Sequence, residues 1–165
     1  MRYLRRLVWY IASRLFILLI LLGVLTVTFY YAMNATNIYV IIKDGMARRA
    51  QVIMMNASVS SLDQYFTAAW IERDESLQSA VSGTGPYQNV SVTGFDHRIS
   101  LKRVWCWPWE DSATATVTER IPSIDGKSVN GSVPAWPEGT YTMLLTRESG
   151  NWKIRNITAA EQTTP

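Results

Sequence analysis

The sequence has one cysteine and one histidine among its 165 residues. The lone Cys106 excludes an intramolecular disulfide framework, and we interpret it as a small buried apolar residue rather than a reactive thiol. The lone His97 has no second imidazole and no paired thiols with which to build a zinc site. No glycine-rich phosphate loop is present either. We therefore predict no metal, no cofactor and no catalytic constellation, which argues against an enzyme.

Charged side chains are also missing between Leu15 and Met33. As a helix this segment is about 28 Å long, close to the hydrocarbon thickness of a bilayer. Tyr30-Tyr31 at one end and Trp9-Tyr10 near the other suit the aromatic belts of membrane interfaces. The segment from Leu15 to Met33 is therefore predicted to span and contact the lipid bilayer.

Charge is distributed unevenly around this segment. The net charge is +3, but all 13 acidic residues follow the segment. Four of the 16 basic residues precede it, so the rest of the chain has 12 basic against 13 acidic groups, about −1. A nearly neutral domain argues against a nucleic-acid partner. The arginines that precede the segment are Arg2, Arg5, Arg6 and Arg14.

A basic arm before a single span places the N-terminus in the cytoplasm and the C-terminal domain outside the cell membrane. A cleaved signal peptide is the competing interpretation. The apolar core is longer than such peptides need, and no A-x-A-like site follows it, so we favour a retained signal anchor.

Five regions follow from these patterns: a basic arm (1–14), a transmembrane helix (15–33), a juxtamembrane amphipathic helix (34–57), an extracytoplasmic α+β domain (58–158) and a tail (159–165). The amphipathic helix is predicted from an apolar stripe of helical period, with Gly45 as a weak point where a kink can form. Its Lys43, Arg48 and Arg49 are interpreted as a solvated face, with anionic headgroups as an alternative contact. The stripe consists of Ile38, Ile42, Met46, Ala50 and Ile53.

The domain begins with helical patterns and ends with strand patterns. Ser60 and Asp63 resemble a capping box for a helix over Ser61–Glu72, and a further helical turn is predicted over Ser76–Val81. Apolar residues then alternate from Val90 past a possible bulge at Gly94 to Pro108. The remaining expectations are a strand over Ala113–Ile121, a long loop over Pro122–Gly139 and a hairpin formed by Thr140–Arg147 and Trp152–Ile157. This order predicts an α+β fold, with helices packed on a curved antiparallel sheet of about four to five strands.

The ending, Tyr141 to Thr146 followed by Gly150 to Ile154, resembles the last hairpin of the nuclear-transport-factor-like (cystatin-like cone) superfamily. Membrane-anchored members of that superfamily are similar to scaffold subunits of secretion and conjugation machines. Other members, such as ketosteroid isomerases, use the cavity of the cone as an active site. The segment Asn37 to Met46 is also similar to uncharacterised single-pass proteins of Gram-positive anaerobes.

Two groups of residues are candidate sites. Tyr65, Phe95, His97 and Ile99 are predicted to face the cavity of the cone, where His97 is either an acid or base or a satisfied core histidine.

The second group is Trp105, Trp107 and Trp109, which either fill the core or form an exposed patch. An exposed patch suits a partner protein or lipid headgroups, and the neighbouring Glu110 and Asp111 favour the protein.

We therefore expect a noncatalytic interaction or scaffold domain of a bacterial envelope, secretion or sporulation assembly, which binds a partner protein or itself. The alternative is a small-ligand binder or isomerase-type enzyme that uses the cavity. Fold alone does not choose between them.

Overall fold

The computed structural model describes residues 2–129 and 131–160. Its first element, α1, is one uninterrupted helix over Arg2–Met55. Its 54 residues extend for about 80 Å. The predicted transmembrane and juxtamembrane helices are therefore one element, and no break interrupts it at Gly45.

The two halves of α1 have different surroundings. Every residue from Leu15 to Tyr30 is exposed, although this stretch is apolar. From Ile38 onward the predicted stripe is buried against the rest of the domain, which confirms its helical period. The apolar half thus continues without a linker into a helix that forms part of the domain core.

Three short elements follow: a 3₁₀ turn at Val59–Leu62, α2 at Ala68–Arg73 and α3 at Glu75–Val81. The single helix predicted over Ser61–Glu72 is wrong, because the backbone of Tyr65 to Thr67 pairs with the sheet instead. The Thr67 N–H donates to the Ile154 carbonyl at 3.0 Å, and the Ile154 N–H donates to the Tyr65 carbonyl at 2.7 Å.

The capping box predicted from Ser60 and Asp63 does not form at the start of the 3₁₀ turn or at the start of α2. The Ser60 hydroxyl lies 2.8 Å from the Ser58 hydroxyl. It is Asp74 that caps a helix, since its carboxylate accepts from the Ser76 N–H at the start of α3. The helical turn predicted at Ser76–Val81 is confirmed as α3.

The main sheet has four antiparallel strands in the order β2-β3-β5-β6. Strand β1 forms a separate two-stranded sheet with β4. The described fold is therefore α+β, as predicted, and its strands form two open antiparallel sheets of four and two strands. The strands are β1 (Val90–Phe95), β2 (Arg98–Cys106), β3 (Ser112–Arg120), β4 (Ile124–Ser128), β5 (Gly139–Glu148) and β6 (Asn151–Ala159).

Strand β4 corrects the long loop predicted over Pro122–Gly139. Its sequence shows no apolar alternation, because Ile124 is its one large apolar residue. Gly126 lets the two strands approach closely, since a Cβ there would lie 2.8 Å from the Ser91 carbonyl oxygen. The register of β1 on β4 shifts between Val92 and Gly94, which confirms the predicted bulge.

The predicted hairpin is confirmed as β5 and β6. Ser149 and Gly150 occupy its turn with φ of 50° and 85°. Positive φ at both central positions is the geometry of the tight turns that match strand twist.

Candidate functional site

A cleft of about 560 Å³ opens between the end of α1, the helices α2 and α3, and strands β5 and β6. The segment from Pro134 to Pro137 closes one side of it. We call it the Arg49 cleft. Its lining includes Met46, Arg49, Ile53, Trp70, Arg73, Asp74, Glu75, Tyr87, Trp136, Tyr141, Arg155 and Ile157.

Arg49 lines this cleft and is held by an ion pair and two aromatic rings. Its Nε and NH2 donate to the two carboxylate oxygens of Asp74 at 2.6 and 3.0 Å. The guanidinium carbon lies 5.8 Å from the ring centroids of both Trp70 and Trp136. A planar guanidinium suits this combination of a bidentate ion pair and aromatic faces. Arg49 therefore points inward, contrary to the solvated face expected from the sequence.

Aromatic side chains form the walls. Trp70 stacks on Phe66 with the ring centroids 4.4 Å apart. Tyr87 lies beside Trp136 and donates its hydroxyl to the Pro134 carbonyl at 3.2 Å. These contacts fix the walls, so the cleft is preformed.

Both tyrosine hydroxyls in the lining stay protonated at neutral pH. Burial raises the pKa of Tyr87 above the ordinary tyrosine value. Burial also raises the pKa of Tyr141, and the negative charge of Glu119 adds to that rise while Arg49 opposes it. The two phenols are therefore neutral side chains rather than bases.

The rim carries more unpaired positive than negative charge, since the exposed Glu75 is its one carboxylate without an ion pair among the described residues. Arg73 and Arg155 are exposed, and neither has an ion-pair partner within the described part of the chain. The indole N–H of Trp136 is buried without a hydrogen-bond acceptor. The cleft therefore combines apolar walls with donors, which suits an apolar group that carries a carboxylate.

None of the four residues predicted to face a cavity lines this cleft. The His97 Nε2 lies 2.9 Å from the Glu119 carboxylate, and both side chains are buried. Phe95 meets the imidazole edge-on at 6.4 Å. This geometry matches a satisfied core histidine. Phe95 and Ile99 are half-buried against the core.

Tyr65 instead packs against α1. A Cβ on Gly45 would lie 2.9 Å from the Tyr65 Cβ. Gly45 is buried at this contact. The glycine that weakens the helix in isolation thus permits the close approach of the chain segment before α2.

The tryptophans of the second candidate group lie largely on the surface. Trp105 is 57% exposed and Trp109 is 70% exposed, while Trp107 is half-buried. Trp107 stacks on Trp109 at 5.2 Å and meets Trp105 edge-on at 5.6 Å. The core interpretation therefore fails for Trp105 and Trp109.

Cys106, between two of these tryptophans, is completely buried. Burial raises the pKa of its thiol, and the nearby positive charge of Arg147 partly offsets this rise. Its environment matches that of a small apolar core residue.

The Arg49 cleft is not evident from the sequence, because its residues are far apart in the chain. Arg49, Asp74, Trp136 and Tyr141 form no local motif. Trp70 and Trp136, two of the seven tryptophans, were the available signal, since buried indoles often line binding sites.

No group of three or more His, Cys, Asp or Glu side chains within residues 2–129 and 131–160 is placed to hold a metal ion. No protein-family model, curated protein sequence or solved structure matches the chain. The geometry of the chain itself therefore carries the functional interpretation.

Proposed function

We propose that this protein is a single-pass membrane protein that holds a noncatalytic binding domain on the outer side of a bacterial cell membrane. We further propose that it takes a partner protein into the Arg49 cleft. The observation that carries the proposal is the continuity of α1, whose apolar, exposed half leads directly into the buried half that supports the cleft.

Several features support the anchor. Within the described residues, one helix is long and apolar enough to cross a membrane, and it lies near the N-terminus. Its basic arm supports a cytoplasmic N-terminus by the positive-inside rule. The absence of a small-residue cleavage pattern supports retention over removal as a signal peptide.

The proposed place in the cone superfamily has the support of element order. Helices precede an antiparallel sheet, and a tight hairpin ends it. Membrane-anchored members of that superfamily are similar to scaffold subunits of secretion and conjugation machines, which favours an assembly role for this chain.

The rigid helix also sets a height for the cleft. Arg49 lies 18 residues beyond Tyr31, which is about 27 Å along a helix. With no flexible linker between span and domain, the cleft opens at a constant distance from the bilayer. A partner in the same envelope then meets it at a defined position.

The chemistry of the cleft suggests what such a partner presents. Trp70, Trp136 and Tyr141 give the cleft apolar walls, although the two largely buried indoles expose only a small part of their rings, and aromatic side chains in pockets concentrate binding energy at interfaces. Arg73 and Arg155 at the rim attract a carboxylate through charge-assisted hydrogen bonds. We expect a partner segment with an apolar side chain beside an acidic residue.

The test is photocrosslinking in native membranes. A photoreactive amino acid replaces Arg155 in one variant and Arg73 in a second, and Lys127, which is exposed on β4 outside the cleft, in a control. The proposal predicts a defined protein adduct from the two rim positions and none from the control. Equal labelling at all three positions, or no protein adduct at the rim, contradicts it.

The second candidate function is a small-ligand binder. The volume of about 560 Å³ favours it, because small-molecule sites typically occupy about 300 to 1,000 Å³. This function predicts no protein adduct at the rim. It predicts instead that an aromatic or aliphatic carboxylate raises the melting temperature of the solubilised protein, and that Arg155→Glu weakens this effect.

A further inference from the structure

The exposed aromatic patch lies at one end of the β2–β3 hairpin. We use the name tryptophan hairpin for residues Trp105 to Asp111. Its rings contact one another, as described above, and leave Trp105 and Trp109 more than half exposed. Neighbouring exposed indoles in one turn need an apolar or amphipathic surface to cover them.

Contacts to α1 locate this hairpin along the helix. The Tyr31 hydroxyl donates to the Val104 carbonyl at 3.0 Å. Tyr31 is the last aromatic residue of the apolar segment, so Val104 lies beside the point where that segment ends.

The strand directions show which way the hairpin points from Val104. At one end of the sheet, Arg147 donates to the Asn34 side chain at 3.2 Å. Further along, the Ile154 Cδ1 lies 3.4 Å from the position of a Cβ on Gly45. Strand β6 therefore runs away from the apolar half of α1.

Because neighbouring strands are antiparallel, β5 runs toward the apolar half of α1, β3 away from it and β2 toward it again. The chain continues past Val104 in that direction. The tryptophan hairpin thus lies at the end of the sheet nearest the apolar half, which it shares with the turn between β5 and β6.

Spacing along α1 fits this tip to a membrane boundary. The charge-free segment from Leu15 to Met33 is about 28 Å long as a helix, which matches a hydrocarbon core of about 30 Å, and Tyr31 lies within one helical turn of its outer end. Trp9 and Tyr30 are both exposed, as lipid-facing residues are. Tyr31 and the hairpin then lie at the outer edge of the bilayer.

We propose that Trp105, Trp107 and Trp109 insert into the headgroup region of the bilayer that α1 spans, and so form a second membrane contact. This inference rests on the proposed function in that it requires α1 to be a retained anchor. Indole rings favour the interface because they combine an apolar body with a polar N–H.

Nearby charges are compatible with this position. The acidic pair Glu110-Asp111 favoured a protein contact in the sequence, but Asp111 lies 3.8 Å from Arg147 as an ion pair. Lys102 and Arg103 on β2 are exposed and have no ion-pair partner in the described chain. They can contact lipid phosphates, which partly offsets the remaining negative charge.

Two membrane contacts restrict the orientation of the domain more than a single contact does. A helix alone leaves the domain free to rotate about the axis of α1, whereas a second contact beside it fixes the tilt. The Arg49 cleft, toward the end of the sheet farther from the bilayer, then keeps one orientation toward its partner.

Quenching of tryptophan fluorescence in liposomes tests the inference. The full chain carries Trp9→Phe, which removes the indole at the opposite edge and leaves six of the seven tryptophans. It is reconstituted with ordinary phosphatidylcholine or with phosphatidylcholine brominated near the headgroup end of its acyl chains. Flotation of the liposomes reports separately whether the protein stays anchored.

We expect brominated lipid to quench up to about half of the emission, because three of the six remaining indoles are in the hairpin. Adding Trp105→Phe and Trp109→Phe, at exposed positions that tolerate the change, is expected to remove most of this quenching. Circular dichroism checks that this variant folds.

The outcomes separate the two proposals. Protein that floats with the liposomes but shows no quenching overturns the hairpin inference and leaves the anchor intact. Quenching that stays undiminished in the variant also overturns it, since Trp107 is then the one hairpin indole left and indoles outside the hairpin must cause the signal. Protein that fails to float overturns the anchor, and with it the inference.

Discussion

Gly45→Ala tests how α1 packs on the domain. In an exposed helix this change stabilises by about 1 kcal/mol, because alanine has the higher helix propensity. Here the new Cβ would lie 2.9 Å from the Tyr65 Cβ and 3.4 Å from the Ile154 Cδ1. The Tyr65 Cβ has little freedom to move, since the Tyr65 carbonyl accepts a hydrogen bond from the Ile154 N–H.

Overpacking of this kind costs roughly 1 to 3 kcal/mol. After subtraction of the propensity gain, we expect a net loss of up to about 2 kcal/mol in the free energy of unfolding. Urea unfolding in detergent micelles, followed by tryptophan fluorescence, measures it.

The matched control is Gly23→Ala. It lies in the exposed apolar half of α1 with nothing within 4 Å of its added Cβ. Its domain unfolding midpoint is expected to stay unchanged. If Gly45→Ala instead raised the stability of the domain by about 1 kcal/mol, as propensity alone requires, the close contact between α1 and Tyr65 would be refuted.

Three further predictions concern the domain. Asp74→Ala is expected to destabilise it by roughly 2 to 3 kcal/mol in the same unfolding assay, because it leaves the partly buried guanidinium of Arg49 unpaired and removes a helix cap. Asp96→Ala, which breaks an exposed ion pair, should have little effect, and equal losses would contradict this reasoning. Cys106 should resist alkylation at pH 8 until the domain is unfolded, as mass spectrometry would show, because burial raises its pKa; fast labelling of folded protein would contradict this. Because the folded pKa values of Tyr87 and Tyr141 are raised above 10.0, their contribution to stability is complete below pH 10 and lost as pH rises beyond it. Urea midpoints at pH 8 and 11 should differ less in Tyr141→Phe than in the unaltered protein, and an equal drop would contradict this.

The spacing of apolar residues in the sequence predicted the helix and strands in which buried and exposed residues recur at a regular period. The stripe from Ile38 to Ile53, the strand with Ala113 buried, and the hairpin around Gly150 all follow from local pattern. Each of these segments has one buried face, and its apolar residues therefore recur in the sequence at the period of a helix or a strand.

The segments that the sequence pattern did not predict are those whose structure depends on backbone contacts with residues far away in the chain. The residues around Phe66 have helical spacing, but their backbone pairs with β6. Strand β4 has one large apolar residue and depends on Gly126 to approach β1. Local propensity does not encode such contacts, which explains both errors.

The candidate sites also depend on residues that are far apart in the chain, so local sequence patterns do not predict them. His97 was recognised as a core histidine or cavity group, but its partner Glu119 is 22 residues away. Arg49 looked like part of a charged surface, because the carboxylate and two indoles that surround it come from distant segments. Only the fold brings these groups together.

The most direct test of the anchored binding domain is the mass of the protein that remains in membranes after extraction with alkaline carbonate. A retained anchor predicts that the membrane pellet holds a chain that still includes the segment from Leu15 to Met33. A soluble chain that begins after Met33 would show that the segment is a cleaved signal, and would contradict both the anchor and the fixed height of the Arg49 cleft.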